Sequence, residues 1–367
     1  MLKEIQSDAF ETTIRGIHDD TQLLSRAYFF HDIRVICQTN HPAVLDILDE
    51  MLSVFAPSEL VRGELTYYVL CHESASSFPM RLPHTRIRTD TVRLLTNTRL
   101  KYYTSLDDTT EYQSYLALPP VNGTTLTVIS RSEPILLTQL EQLEEYSTPF
   151  LRRYVFLLAL GQALGRYGFE PCHAAAVTAP WNSQHGALII GASGSGKTTL
   201  SLGCAIVGCG LLGDDLLMLH QQSEYDLIQA RAITHEVSVR SHSLTLLPNL
   251  AFLETCEPDL RDKRYCTIEQ LRAGATCLQT TIRLLLFPSL TPEGTNRITR
   301  LSKATTLRTL IDLCMSKQNS YPLSQEKLFH LLSQLAEQAP GYQLTIAHDA
   351  TDGPQLVRSL LAGDNHG

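Results

Sequence analysis

The chain has 367 residues, long for a single hydrophobic core, so two domains are expected. Apolar residues make up 43% and charged residues 19%, the balance of a globular protein and not of a disordered one. Thirty Lys plus Arg against 38 Asp plus Glu leave a net charge of −8, which excludes a global basic field for nucleic acid.

The nine cysteines are scattered, with no CxxC pair and no regular framework. They read as reduced thiols, not as a zinc site or a secreted disulfide scaffold. The start, from Met1 to Asp8, lacks the basic region and apolar core of a signal peptide. The most apolar segment, 154–164, is too short for a bilayer, which needs about 20 residues. A soluble cytoplasmic protein with no membrane partner is expected.

Residues 1–26 are of mixed polarity with a weak helical tendency. Residues 28–38 have the aromatic and β-branched content of one strand, with Ile33, Val35 and Cys37 alternating against Arg34. Asn40-His41-Pro42 looks like a helix start, Asn40 as the cap and Pro42 in the first turn. Val44, Leu45, Leu48, Leu52 and Phe55 supply its apolar stripe. Strands are expected over 65–71, 87–95, 100–104, 112–117 and 124–130, giving a mixed, largely antiparallel front module.

Arg81, Arg86, Arg88, Arg93, Arg99 and Lys101 fall within that module, opposed only by Asp90. They read as a docking patch for an acidic partner or as a solvated strand face on which arginine discourages edge pairing. No aromatic platform accompanies them, so nucleic acid is not an expected partner.

A helix over 147–167 follows, with Ser147 or Thr148 as cap, Pro149 in the first turn and Gly168 at its end. It divides the chain into a mixed α/β N-terminal domain (1–146), suited to recognising an acceptor or partner, a connecting helix (147–168) and a second domain (169–367). Two strands, 170–177 and 186–190, open the second domain around a turn at 180–183.

Gly191-Ala192-Ser193-Gly194-Ser195-Gly196-Lys197-Thr198-Thr199 comes next, after the apolar run 187–190 and before a helix over about 198–207. This is the phosphate-loop pattern in its strand–loop–helix setting. Its glycines let successive N–H groups converge on a phosphate, and the following helix offers its positive end. Lys197 can reach β- and γ-phosphates, and the Thr198 hydroxyl can hold Mg²⁺. The expected ligand is a nucleoside triphosphate, with ATP and Mg²⁺ as cofactors.

Asp214 follows Lys197 by 17 residues, and Asp214-Asp215 interrupts the apolar run 211–219. An unpaired buried carboxylate costs several kcal/mol, so a metal, a lysine or a reacting proton is the expected neighbour. The alternative is a polar turn between two short strands with both carboxylates hydrated. Residues 257–265 form a charged loop of the active-site-flap kind. A buried strand over 282–287 precedes helices near 303–314, 324–338 and 354–361 and a strand at 342–347.

His173, the loop 191–198 and Asp214-Asp215 together resemble the HPr kinase/phosphorylase family, relatives of the phosphoenolpyruvate carboxykinases. The likeness covers roughly residues 170–290. The whole chain looks more like the HPr-kinase-related proteins found beside peptide-tailoring genes in bacteria. The resemblance implies a mixed α/β phosphate-loop kinase core that transfers a phosphoryl group to a hydroxyl of a peptide, protein or small molecule, and relatives that assemble into homo-oligomers.

By that resemblance Asp214 takes the acceptor's proton, Asp215 holds Mg²⁺ with Thr198, and His173 lies near the phosphates. Glu236 is the nearest counterpart of the family's second metal-binding glutamate. Lys263, Arg264 and Arg240 are the candidate transition-state cations, Arg264 among the catalytic residues. The family's phosphorylase and docking signature is not recognisable, so HPr is not an expected substrate. The competing reading is a nucleotide-dependent switch or regulatory ATPase without an acceptor.

Overall fold

The computed structural model describes residues 14–17, 22–57, 60–79, 88–95, 98–104, 110–117, 123–130, 132–223, 226–259, 262–291, 296–314, 325–347 and 352–363. The fold is mixed α/β, with parallel and antiparallel strand pairs in each large sheet. The chain divides into two compact units, Met1–Tyr167 and Gly168–Gly367.

The first unit is built on eight strands: β1 (Leu24–Phe30), β2 (Ile33–Thr39), β3 (Gly63–His72), β4 (Arg88–Leu95), β5 (Thr98–Thr104), β6 (Thr110–Ala117), β7 (Gly123–Ser130) and β8 (Ile135–Glu141). Their order is β1-β2-β3-β8-β7-β6-β5-β4, with β2–β3 and β3–β8 parallel. The expected single strand over 28–38 is a hairpin, with Phe30 facing Ile33 across a two-residue turn. His31 adopts φ 55° there. No glycine or asparagine marks this turn, so the run reads as continuous in the sequence.

Helix α1 (Pro42–Leu52) carries β2 over to β3 and buries Val44, Leu45, Leu48 and Leu52. Its cap is His41, whose ring accepts the Ala43 N–H, and not Asn40. The Asn40 amide instead bridges both backbone groups of Cys71 at 2.8 Å, tying the helix start to β3. Of the basic run, Arg88 and Arg93 lie on β4 and Arg99 and Lys101 on β5, with Arg93 opposite Arg99. Arg81, Arg86 and the expected strand's first residue, Ile87, lie outside the described residues.

Helix α2 (148–167) belongs to this unit. It starts as α-helix with Pro149 in its first turn, widens to π over Leu151–Phe156, and tightens to a 3₁₀ turn over Leu164–Tyr167. Gly168 follows it at φ 80°.

The second unit holds β9 (Phe169–Cys172), β10 (Ala175–Ala179), β11 (Asn182–Ile189), β12 (Gly210–Gly213), β13 (Leu217–His220), β14 (Gln229–Ala232), β17 (Gln279–Thr291), β18 (Arg297–Arg300) and β19 (Gly341–Ala347) in one sheet. The main path runs β12-β10-β11-β17-β14-β13-β9, and β19 pairs with β17 and β18. A separate hairpin pairs β15 (Glu236–Arg240) with β16 (Lys263–Thr267). The unit's longer α-helices among the described residues are α3 (Lys197–Ile206), α4 (Ser241–Leu246), α5 (Lys303–Cys314), α6 (Gln325–Gln338) and α7 (Asp352–Ala362).

Strand alternation sorts this sheet's side chains into two cores. Ala187 and Ile189 pack with Leu200, Leu202 and Val357 from α3 and α7. Leu188 and Ile190 pack with Leu310, Leu328 and Leu332 from α5 and α6. Covered on both faces, the end of β11 is apolar without alternation, as 187–190 reads in the sequence. Truncating a side chain such as Ile189 to Ala would cost about 2–5 kcal/mol. That rigid strand end is what aims the glycine-rich loop.

All nine cysteines are free thiols. No helix among the described residues is long and apolar enough to cross a membrane.

Candidate active site

The loop between β11 and α3 takes its shape from two glycines. Gly194 and Gly196 have φ of 80° and 91°, the left-handed region that a Cβ disfavours. Gly196 is the N-cap residue of α3, and its carbonyl accepts the Leu200 N–H at 2.9 Å. The turn closes internally through Ser195 N–H to the Ala192 carbonyl, 3.1 Å. Lys197 folds back over the loop, its buried ammonium donating to the Gly191 and Ala192 carbonyls at 2.7 and 3.1 Å.

Asp214 and Asp215 sit in a bend between β12 and β13. Adjacent residues of a regular strand would point to opposite faces, and the break after Gly213 lets both line one cavity. They are held differently. Asp214 is 3% exposed. Its carboxylate accepts the Ser238 N–H at 3.2 Å, the Ser238 hydroxyl at 3.1 Å and, loosely, the Thr198 hydroxyl at 3.4 Å. Asp215 is half-buried and pairs with the Lys263 ammonium at 3.0 Å. On its other side the His173 Nδ1 lies 2.7 Å from the Asp215 carbonyl and 3.1 Å from its carboxylate. A carbonyl only accepts, so Nδ1 carries the proton and Nε2 is left for another partner.

The cavity measures about 440 Å³, within the range of small-molecule sites. Its polar lining includes His173, Lys197, Thr198, both aspartates, Ser238, Arg240 and Lys263. Leu246, Leu290, Ile346 and Pro354 are among its apolar lining. Thr199 reaches α4 through a 3.1 Å hydroxyl contact with Ser243.

The structure thus gathers His173, Ser193, Gly194, Gly196, Lys197, Thr198, Thr199, Asp214 and Asp215 around one space. Gly191, Ala192 and Ser195 form the underside of the loop and do not line it. A Cβ on Gly191 would come within 2.4 Å of the Ser195 hydroxyl, so that glycine serves close packing. Arg264 does not line the cavity either. Its guanidinium donates to the Cys256 carbonyl and the Ser241 hydroxyl. It neighbours Lys263 on a strand and points away from it, so Lys263 is the cation delivered to the acidic pair. Glu236 shares a strand face with Ser238 and Arg240 but lies one step outside the lining. Ser238, the principal donor to Asp214, escaped the sequence reading. Its one signal is a hydroxyl between two buried valines, Val237 and Val239.

No group of three His, Cys, Asp or Glu among the described residues forms a metal cage. A loop hydroxyl beside one carboxylate suits Mg²⁺, which keeps waters and takes its remaining oxygens from phosphates. Thr198 and Asp214 are such a pair.

No family model matches the sequence, and no curated protein matches it. Among solved structures, the chain is similar to the HPr(Ser) kinase/phosphatase from Coxiella burnetii, at 15% identity and a TM-score of 0.31. That similarity spans 53% of this chain and 90% of the other.

Proposed function

We propose that the second unit is an ATP-dependent, Mg²⁺-requiring kinase that phosphorylates a hydroxyl on a peptide, a protein or a small molecule. The observation that carries this reading is the shared cavity, in which the loop hydroxyl of Thr198 meets the Asp214 carboxylate while Asp215 opens to the same space beside His173 and Lys263. Phosphoryl transfer asks mainly for positioning and charge neutralisation, and these groups supply both.

The geometry favours exchanging the roles that the resemblance implies for the two aspartates. Asp214 is buried and engaged by Ser238 and Thr198, which suits the Mg²⁺ side of the site. Asp215 is the reachable carboxylate and suits the acceptor's proton. Mg²⁺, held by Thr198 and Asp214, would neutralise phosphate charge. Lys197 moves from the loop carbonyls to the phosphates. The acceptor oxygen forms a bond to the γ-phosphorus, the bond from that phosphorus to the β–γ bridging oxygen breaks, the hydroxyl proton passes to Asp215, and ADP leaves. His173 holds Asp215 in place through its backbone and side chain. Lys263 places its ammonium 3.0 Å from the Asp215 carboxylate, a positive charge at the base.

Incubation with γ-labelled ATP and acceptor peptides tests this by mass shift and label transfer. Wild-type chain should transfer label. Asp215→Asn should retain nucleotide binding and lose about 10²–10⁴ in transfer, the range for a general base. Transfer by Asp215→Asn within tenfold of wild type would refute the assignment. Absence of any nucleotide binding by the wild-type chain would refute the kinase reading itself.

A further inference from the structure

Arg240 and Lys263 stand directly opposite one another in the β15–β16 register, and both line the cavity. Like charges at facing positions destabilise a strand pair, so the hairpin keeps a repulsion that folding alone would remove. Lys263 finds relief in Asp215 at 3.0 Å. Arg240 does not. It is exposed and makes no hydrogen bond or ion pair among the described residues. Asp262, the acid whose charge it feels, is engaged by the Ser241 N–H and hydroxyl and lies 3.7 Å from Arg264. His242, two residues beyond Arg240, is also exposed and lines the same cavity.

Arg240 ends the strand that carries Ser238, His242 lies in the first turn of α4, and both share the cavity with the acidic pair. In a chain of net charge −8, an exposed arginine that lines a cavity and has no ion pair among the described residues is suited to an anion. Resting on the kinase reading, which gives Lys197 to the phosphates and Asp215 to the proton, we propose that Arg240 and His242 bind an anionic group on the acceptor. The acceptor class is therefore a hydroxyl compound with a carboxylate or phosphate beside the reacting hydroxyl. An acidic peptide and a small hydroxy acid share this chemistry.

The test is γ-label transfer to two panels: serine peptides flanked by Asp, Asn or Lys, and small hydroxyl compounds differing in charge, such as glycolate against its neutral amide. The readout is the ratio of kcat/KM between anionic and neutral members, in which general damage to a variant cancels. Wild type should prefer the anionic member of one panel by tenfold or more, and that panel identifies the source. Arg240→Gln should bring the ratio near one, and Arg240→Glu should shift preference to the Lys-flanked peptide, a gain that misfolding cannot produce. Equal use of all members by wild type, or a ratio unchanged in Arg240→Gln, overturns the proposal. So does bound nucleotide with no transfer to any anionic member, a result that leaves the nucleotide site standing. A chain that binds no nucleotide takes down both readings.

Discussion

Ser238 holds the Asp214 carboxylate from two directions, through its backbone N–H at 3.2 Å and its hydroxyl at 3.1 Å. With the Thr198 hydroxyl, this residue on a two-stranded hairpin helps make a carboxylate tolerable at 3% exposure. Ser238→Ala should keep the backbone bond and lose the hydroxyl bond to the carboxylate, lowering stability by about 1.5–3 kcal/mol. It should also weaken Mg²⁺-dependent nucleotide binding, since the carboxylate loses its fixed orientation. Urea denaturation and nucleotide titration with and without Mg²⁺ measure both, and no change in either would show that Ser238 is a bystander.

The Thr198 contact with Asp214 predicts a graded pair of variants. Thr198→Ser keeps the hydroxyl and should stay within a few-fold of wild type. Thr198→Ala removes it and should cut Mg²⁺-dependent nucleotide affinity by about tenfold, or ~1.4 kcal/mol. Titration of a fluorescent ATP analogue at several Mg²⁺ concentrations separates these outcomes. Equal affinity for the two variants would mean that the hydroxyl takes no part in the metal side.

The glycine-rich loop and its flanking strand and helix were legible because the phosphate-loop pattern fixes residue types at set places over eight positions, 191–198. The acidic pair was legible as chemistry, since two carboxylates in an apolar run need partners. Its roles were not, because which carboxylate is buried depends on Ser238, brought in from a strand 24 residues later. Arg264 was placed among the catalytic residues ahead of Lys263, but the register of β16 sends Lys263 toward Asp215 and Arg264 toward Cys256 and Ser241. The hairpin at His31 was invisible for a local reason, as its His31-Asp32 turn holds neither glycine nor asparagine.

Two loop glycines should differ in their tolerance of alanine. Both have positive φ, which costs a non-glycine residue about 1–2 kcal/mol. A Cβ at Gly194 meets nothing within 4 Å, whereas one at Gly196 would touch the Leu290 side chain at 3.0 Å. Gly196→Ala should therefore lose more stability than Gly194→Ala and disturb the start of α3. Denaturation midpoints rank them, and the reverse order would contradict the loop geometry.

Glu170 supplies a pH signature away from the cavity. It lies on β9 opposite Leu219, 8% exposed, and one carboxylate oxygen has no hydrogen-bond partner among the described residues. Burial pushes its carboxyl up to about 7 from an ordinary 4.5, with Lys327 pulling weakly the other way. Because the folded value lies above the unfolded one, the fold favours the protonated acid. The associated stability is fully present below about pH 4.5 and is lost as pH rises to about 7, a change on the order of 3 kcal/mol. Glu170→Gln replaces the acid with a neutral group of similar shape, so this pH-dependent component should vanish. Relative to wild type, the variant should gain denaturation free energy at pH 8 and show little gain at pH 4.5. Parallel stability profiles for the two chains between those pH values would show that Glu170 ionises without cost.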